Sequence, residues 1–282
     1  MSDAIESRTF LITGAASGFG NAIARKALAA GHRVIGAVRR EADARAIEAL
    51  DPTRAGAILL DVTQEDRVDA VIAEAIERFG PVEVLVNSAG YGHEGVLEES
   101  PLGEMRRQFD VNLFGAVAVI KAVLPHMRAR RFGRIINITS MAGQIGLPGI
   151  AYYAASKYAL EGLSEVLARE VAPFGVKVTA LAPGSFRTDW AGRSMIRSPR
   201  QIADYDALFD PIRKARSDKS GRQNGDPARA AQVVVDLVAM EEPPVHLLLG
   251  SDALGLVEPA LQTRLDEIKS WEDVTRSTDF PI

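Results

Sequence analysis

The chain has 282 residues, 25% of them charged, a formal net charge of −4 and no cysteine. A chain of this length buries an ample core, and a pI near 5.7 supplies no basic field that would favour nucleic acid or an anionic membrane surface. Without cysteine, disulfides, thiolate nucleophiles and cysteine-ligated metals are excluded; the composition suits a reducing cytoplasm, the expected location.

Met1 to Arg8 holds no apolar h-region. No apolar run approaches the ~20 residues of a membrane span; the richest, Leu113 to Leu124, is interrupted by Lys121. Thr9–Thr13 reads as a short buried strand, apolar and β-branched. It runs into Gly14-Ala-Ala-Ser17-Gly18-Phe19-Gly20 and then a helix through Ala30. Glycines here permit a tight turn and close approach of backbone to a pyrophosphate, and the following helix offers free N–H groups. Arg33–Val38 is the second strand. It runs out in Arg39-Arg40, with no acid before Glu41. An acid at this edge would bond the ribose hydroxyl of NAD, whereas Arg39 suits a 2′-phosphate. NADP is therefore the expected cofactor, ahead of NAD.

Ala57–Val62 predicts a third strand, with Asp61 at its end as an acceptor for adenine or as a cap for the amphipathic helix from Gln64 to Phe79. Val82–Val86 is a fourth. The small residues of Asn87-Ser88-Ala89-Gly90 that follow it leave room for a flat ligand. A helix from about Pro101 to Arg130 contains Asp110-Val-Asn112-Leu-Phe-Gly115, where Asn and Gly predict a local irregularity. Arg134–Ser140 is the fifth strand, with Ser140 at its carboxyl end. Gly143, Gly146 and Gly149 form the loop to the next helix.

That helix carries Tyr153 and Lys157 four residues apart, on one face. A free phenol, with a pKa near ~10, exchanges protons poorly at neutral pH. A lysine charge held close favours the phenolate, and a shift of three units corresponds to about 4 kcal/mol. Such a pair is a proton donor and acceptor for an alcohol/ketone couple. Lys177–Ala182, closed by Pro183-Gly184, is the sixth strand. From Phe186 to about Gly225 the pattern weakens; a long irregular connection of this kind reads as a lid, and its Arg193, Arg197, Arg200 and Arg213 read individually as solvated charges. Asp226-Pro227 reads as an N-cap and N1 pair opening a helix to Met240. Val245–Leu249 is a seventh strand, and the tail from about 254 to 282 is helical, then polar.

Alternating strands and helices predict one α/β domain over 1–282, a doubly wound, parallel, seven-stranded sheet of the Rossmann type. Gly14–Gly20, Arg39, Asp61, Asn87–Gly90, Ser140 and Pro183–Gly184 all fall at strand ends, where such sheets bind ligands. The four histidines are scattered and no spacing suggests a metal. His32 and His126 read as surface residues near helix ends. His93 follows the Asn87–Gly90 loop and is the one histidine considered for substrate contact.

Thr13-Gly-x3-Gly-x-Gly20, Asn87-x-Ala-Gly90, Asn112, Ser140, Tyr153-x3-Lys157 and Pro183-Gly184-x3-Thr188 together resemble the short-chain dehydrogenase/reductase family over roughly residues 8 to 250. The extended C-terminus is closer to its carbonyl reductases and hydroxysteroid dehydrogenases. One departure is Ser88, where the family usually has a second Asn. The resemblance implies an oxidoreductase moving hydride between NADP(H) and a secondary alcohol or ketone. Tyr153 would be proton donor, Ser140 would hydrogen-bond the substrate oxygen, Lys157 would also bond the nicotinamide ribose, and Asn112 would hold a relay water. Gly14, Ser17, Gly18, Phe19, Gly20, Arg39, Asp61, Val62, Asn87, Ala89 and Gly90 form the implied cofactor set, with Pro183, Gly184, Phe186 and Thr188 at the carboxamide and pyrophosphate. It also implies a homodimer or homotetramer through helices Pro101–Arg130 and Tyr152–Ala172, which carry Val117, Val119, Val166 and Leu167 on more than one face. Two other classes are weighed. A lyase or epimerase with a retained cofactor usually has a larger substrate domain than this chain offers. A non-catalytic dinucleotide sensor has no need of Ser140, Tyr153 and Lys157 together.

Overall fold

The computed structural model describes residues 7–280; most of the N-terminal stretch read for a leader lies outside them. In chain order come β1 (Thr9–Thr13), α1 (Gly18–Ala29), β2 (Arg33–Val38), α2 (Glu41–Glu48), β3 (Ala55–Leu59), α3 (Glu65–Phe79), β4 (Val84–Asn87) and β5 (Gly92–Glu94). Then follow α4 (Leu102–Phe109), α5 (Gly115–Arg130), β6 (Gly133–Ile138), α6 (Ala151–Val171), β7 (Val176–Pro183), β8 (Met195–Arg197), α7 (Asp206–Asp218), α8 (Pro227–Ala239), β9 (His246–Leu249), α9 (Ser251–Ser270) and α10 (Glu272–Arg276).

Seven strands form one parallel sheet in the order β3-β2-β1-β4-β6-β7-β9. The chain winds outward from β1 to β3, then returns to β4 on the other side of β1. This reversal opens a crevice between the ends of β1 and β4, the place where such sheets bind ligands. Both faces of the central strands are covered, so these strands are mostly apolar on both faces, and successive residues serve opposite sides. Phe10 and Ile12 face a cluster with Ile23 and Ala27 of α1 and Val234 and Leu237 of α8. Leu11 faces the other cluster, with Ile72 of α3 and Val119, Val123 and Met127 of α5.

The expected irregularity between Pro101 and Arg130 is a π-helical turn, Asp110–Phe114, joining α4 to α5. π-Turns inside helices concentrate at functional sites, and this one carries Asn112. The run Leu102–Arg130 reaches the length and mean hydropathy of a membrane span; one side of it lies in the second core cluster. Asp226 caps α8 as expected, accepting from Ala228 N at 2.8 Å with Pro227 at N1. The tail from Ser251 to Ser270 is helical.

Three expectations are corrected. His32 is not at the surface: it is buried, takes Arg8 N–H on Nδ1 at 3.2 Å and lies 5.1 Å from the Phe10 ring. The segment after Phe186 contains β8, which pairs in parallel with β5 as a separate two-stranded sheet, and the helix α7. Its arginines are also less solvated than their loop setting suggests. Glu94, 1% exposed, is held by Arg197 at 3.2 Å, Arg213 at 3.4 Å and Arg216 at 2.7 Å. Glu99 is buried as well, accepting from Gln201 N at 2.6 Å and Ile202 N at 2.7 Å and pairing with Arg200. A buried carboxylate requires such partners, and here they fasten the 195–218 region onto the β5 segment. Arg193 is the exception, an exposed side chain paired with Asp189.

Candidate active site

The glycine turn is shaped by contacts that exclude side chains. Gly14 has φ +67°, and a Cβ on it would meet Ala89 Cα at 2.9 Å; one on Gly20 would stand 2.4 Å from Gly14 O. The glycines thus bring the β1 and β4 ends together and seat α1 against the turn. Thr13, to which the sequence reading gave no separate role, locks the junction: its Oγ1 accepts from Ser88 N and Ala89 N, both at 3.1 Å. Gly18, at φ +53°, lies close to Thr188: an added Cβ would be in van der Waals contact with the Thr188 Cβ at 3.7 Å, and Ser17, Gly18 and Thr188 line one open pocket at the start of α1. A free helix start at such a pocket fits a pyrophosphate. Ser17 is the N-cap of α1 with no side-chain bond of its own, and the Phe19 and Phe186 rings meet at a tilt, centres 5.1 Å apart.

Other members of the expected cofactor set are distributed as follows. Arg39 is exposed at the end of β2. Neighbouring Arg40 is committed to Asp43 through two bonds of 2.7 Å. Asp61 closes its own turn, accepting from Thr63 N at 3.0 Å and Thr63 Oγ1 at 2.7 Å. Val62 is buried against Gly115. The Asn87 side chain donates to Asn137 Oδ1 at 2.9 Å within the sheet, and neither it nor Ala89 lines the cavity described next. Asp252, also unanticipated, accepts from Ser185 N at 2.8 Å and packs under Gly184, fixing the loop after Pro183.

A cavity of about 390 Å³ opens beyond the strand ends. Ser140, Tyr153 and Lys157 line it, as do Phe19, Gly90, Pro183, Gly184, Phe186 and Thr188. Ser140 follows β6 and turns there because its Oγ accepts from Ala142 N at 3.1 Å. Tyr153 and Lys157 stand one turn apart on α6, and Lys157 Nζ lies 5.8 Å from the Tyr153 ring centre, donating to Ile138 O at 2.8 Å. Asn112 is 1% exposed. Its Oδ1 accepts from Tyr91 N, and its Nδ2 donates to Tyr91 O and Ser156 Oγ, each at 3.1 Å. Gly90 fits between Asn112 and Lys157: a Cβ there would lie 3.1 Å from Asn112 Oδ1 and 3.7 Å from Lys157 Nζ. Asn112 therefore clamps the Gly90–Tyr91 turn beside the lysine.

The electrostatics differ from the expected lowering of the tyrosine. Burial pushes the Tyr153 phenol up to about 12, against the influence of Ser140 and Trp190, which favour the phenolate. Trp190 reaches Tyr153 with its ring, centre to centre at 5.0 Å, while its buried Nε1 makes no well-formed hydrogen bond among the described residues. Burial pulls Lys157 down to about 8, with the Glu161 charge acting the other way. Desolvation outweighs mutual attraction because Lys157 is itself taken from water and aims an N–H at a carbonyl. The resulting phenol is a protonated acid at neutral pH. His93 does not line this cavity. It is buried under Tyr152, ring centres 5.1 Å apart, with Nε2 2.9 Å from Ser198 Oγ.

A doubly wound sheet with a glycine turn at its switch point, and a Ser, Tyr and Lys set around one cavity beside it, defines a nicotinamide-dinucleotide oxidoreductase. Residues 8–196 match the short chain dehydrogenase family model, and the chain belongs to the short-chain dehydrogenase/reductase family. Among solved structures it is similar to a short-chain dehydrogenase from Streptomyces avermitilis, with 42% identity, TM-score 0.90 and coverage of 98% of this chain and 100% of that one. It is 35% identical to the 3-ketodihydrosphingosine reductase of Bacteroides thetaiotaomicron over 95% of this chain and 94% of that protein. It is 33% identical to the NADPH-dependent 3-dehydrocapnine reductase of Ornithobacterium rhinotracheale over 74% of this chain and 76% of that protein. The family uses NAD(P), acts on small molecules at CH–OH or carbonyl groups and is usually oligomeric.

Proposed function

We propose that the protein interconverts a ketone and a secondary alcohol using NADP(H), with Tyr153 as proton donor and acceptor. The observation that carries this reading is the convergence of Ser140, Tyr153 and buried Lys157 on one cavity beside the glycine turn. When bound, the nicotinamide supplies the hydride to the carbonyl carbon. Tyr153 Oη–H gives its proton to the carbonyl oxygen, and the elevated phenol pKa keeps that proton available at neutral pH. Ser140 donates to the same oxygen as negative charge gathers there. Charged Lys157 offsets the phenolate that Tyr153 becomes. Asn112 keeps the Gly90–Tyr91 turn in place beside Lys157. The pocket at the start of α1, lined by Ser17, Gly18 and Thr188, would take the pyrophosphate.

NADP is the preferred form in this reading. Val38 ends β2 with no carboxylate to bond a ribose hydroxyl, and Arg39 makes no hydrogen bond or salt bridge among the described residues. Its guanidinium is available to a 2′-phosphate. The 3-dehydrocapnine reductase relative, named as NADPH-dependent, agrees. The 186–225 segment acts as the lid: Trp190 and Arg216 line the cavity from above α6. Assembly through α4, α5 and α6 fits the division of their faces, since Val119 is in the core whereas Phe114 and Val166 are exposed; a homodimer or homotetramer is proposed.

The test is a screen of ketones with NADPH and NADH, and of alcohols with the oxidised cofactors, on wild type and Tyr153→Phe. Turnover of NADPH by wild type, lost in a folded, cofactor-binding Tyr153→Phe, is expected. Near wild-type kcat in that variant would remove Tyr153 from the mechanism.

A further inference from the structure

The cavity beside Tyr153 is lined unevenly. Toward α7 and the loop before α6 its walls are apolar, with Leu147, Ile150, Trp190 and Ile212. The charged residues lining it are Lys157, Arg216 and Lys219, and no carboxylate lines it among the described residues. Lys157 is buried at the inner end, whereas Lys219 is exposed and marks the outer end.

Ile212, Ala215, Arg216 and Lys219 fall at i, i+3, i+4 and i+7, which is one helical face, and all four line the cavity. That face changes from apolar to cationic over about 10 Å of helix rise. Arg216 is fixed by Glu94 at 2.7 Å, but the same carboxylate also serves Arg197 and Arg213. Glu94 thus orients Arg216 without belonging to it alone. Lys219 makes no ion pair and no side-chain hydrogen bond among the described residues, although a lysine at a helix C-terminus is also favoured by the dipole.

We infer that the substrate is a ketone whose apolar chain carries an anionic group, held at the cavity mouth by Lys219 beside Arg216. This deepens the ketone-reductase reading and rests on it. The apolar wall accepts the chain, and the unpaired ammonium accepts a carboxylate or phosphate with no neighbouring acid in the cavity to repel it.

The test compares NADPH-dependent reduction of straight-chain oxo-carboxylic acids of increasing length, their methyl esters and matching oxo-alkyl phosphates. Wild type should favour the better-fitting anion over the ester in kcat/KM by about fivefold, the scale of a partly screened ion pair, expressed in KM. The preference should shrink as salt is raised. Lys219→Gln should abolish it while leaving ester turnover and the NADPH Kd unchanged; Lys219→Arg should retain it, and Lys219→Glu should reverse it. The acid and phosphate arms identify which anion is preferred. Equal use of anions and esters by wild type overturns the inference and leaves the ketone reading standing. So does a preference untouched by Lys219→Gln, which would mark Lys219 as a helix-end charge, or a weakened NADPH Kd, which would assign it to the cofactor. Reduction of none of these compounds, with no other ketone turned over, would overturn both readings.

Discussion

Replacing Asn112 with alanine tests whether the π-turn between α4 and α5 exists to hold the Gly90–Tyr91 turn. The side chain makes three hydrogen bonds, two to the Tyr91 backbone and one to Ser156 Oγ. The losses are unequal. Tyr91 O keeps its bond from Gln108 Nε2 at 2.6 Å, and Ser156 Oγ still donates to Tyr153 O at 2.8 Å. Tyr91 N–H loses its side-chain acceptor. Stranding a donor costs about 1–3 kcal/mol, and each of the other two bonds contributes about 1 kcal/mol net, so the variant should lose about 3–5 kcal/mol. For a chain of this size that lowers the melting temperature by about 5–8 °C. The freed turn lies against Lys157 Nζ, so NADPH binding should weaken and turnover should fall further than binding alone explains. Thermal denaturation followed by circular dichroism, with and without NADPH, measures the first effect and titration of cofactor the second. Asn112→Asp should fare no better, since its second oxygen would face Tyr91 O. A melting temperature for Asn112→Ala within about 1 °C of wild type, with unchanged NADPH affinity, would refute the clamp.

Further outcomes can be measured independently. Ser140→Ala should lower kcat by ~10²-fold, as for loss of an oxyanion donor, with little change in NADPH Kd. Reduction should be steady in kcat/KM below pH 8 and fall as Lys157 loses its charge through about 8, because rising pH removes the cation opposing the phenolate; Lys157→Arg should move that fall upward, and a profile flat to pH 9 would count against the assignment. Arg39→Ala should weaken NADPH by about 1.5–3 kcal/mol, the value of a charge-assisted bond, and leave NADH nearly unchanged; tighter NADH binding by wild type would make Arg39 a solvated charge. Glu94→Gln should cost about 1.5–3 kcal/mol, the value of hydrogen bonds to a charged group, because three partly exposed arginines lose their shared carboxylate, seen as early tryptic cleavage within 193–222 while the central sheet stays protected.

The sheet was legible because fully buried parallel strands and their bounding glycines leave strong local signals. Thr9–Thr13 and Arg33–Val38 are strands at the very residues their β-branched, apolar pattern indicates. The third strand begins two residues before Ala57, at Ala55, since glycine and alanine beside it carry no strand signal of their own. The strand-end residues were legible for a second reason. In a doubly wound sheet, sequence position at a carboxyl end already specifies proximity to the switch point. What such reasoning could not supply is where a side chain turns once it is there. Asn87 turns into the sheet toward Asn137, and Asp61 turns back on Thr63. The Asp61 contact is a local turn two residues long, whereas the Asn87–Asn137 bond joins side chains fifty residues apart that no spacing rule connects.

The 186–225 segment shows little local pattern for a physical reason that also explains its construction. Phe209, Ile212, Ala215 and Arg216 do carry a helical stripe, but Pro211 sits inside the helix and arginines crowd the rest of the segment. Arginine in a loop implies solvent only when no buried carboxylate waits for it. Here the carboxylates, Glu94 and Glu99, come from a segment about a hundred residues earlier. They lie on the same segment as Tyr91, whose backbone Asn112 holds, and beneath them Tyr152, next to Tyr153, bonds Ser100 O at 2.7 Å. The stretch from Gly90 to Ser100 thus touches the π-turn, α6 and the 195–218 region together. The arginines paired with Glu94 and the residue next to Tyr153 are therefore anchored to one short stretch of chain. Those ion pairs seat the cationic face of α7 on β5 with a directionality that apolar contacts alone would not supply.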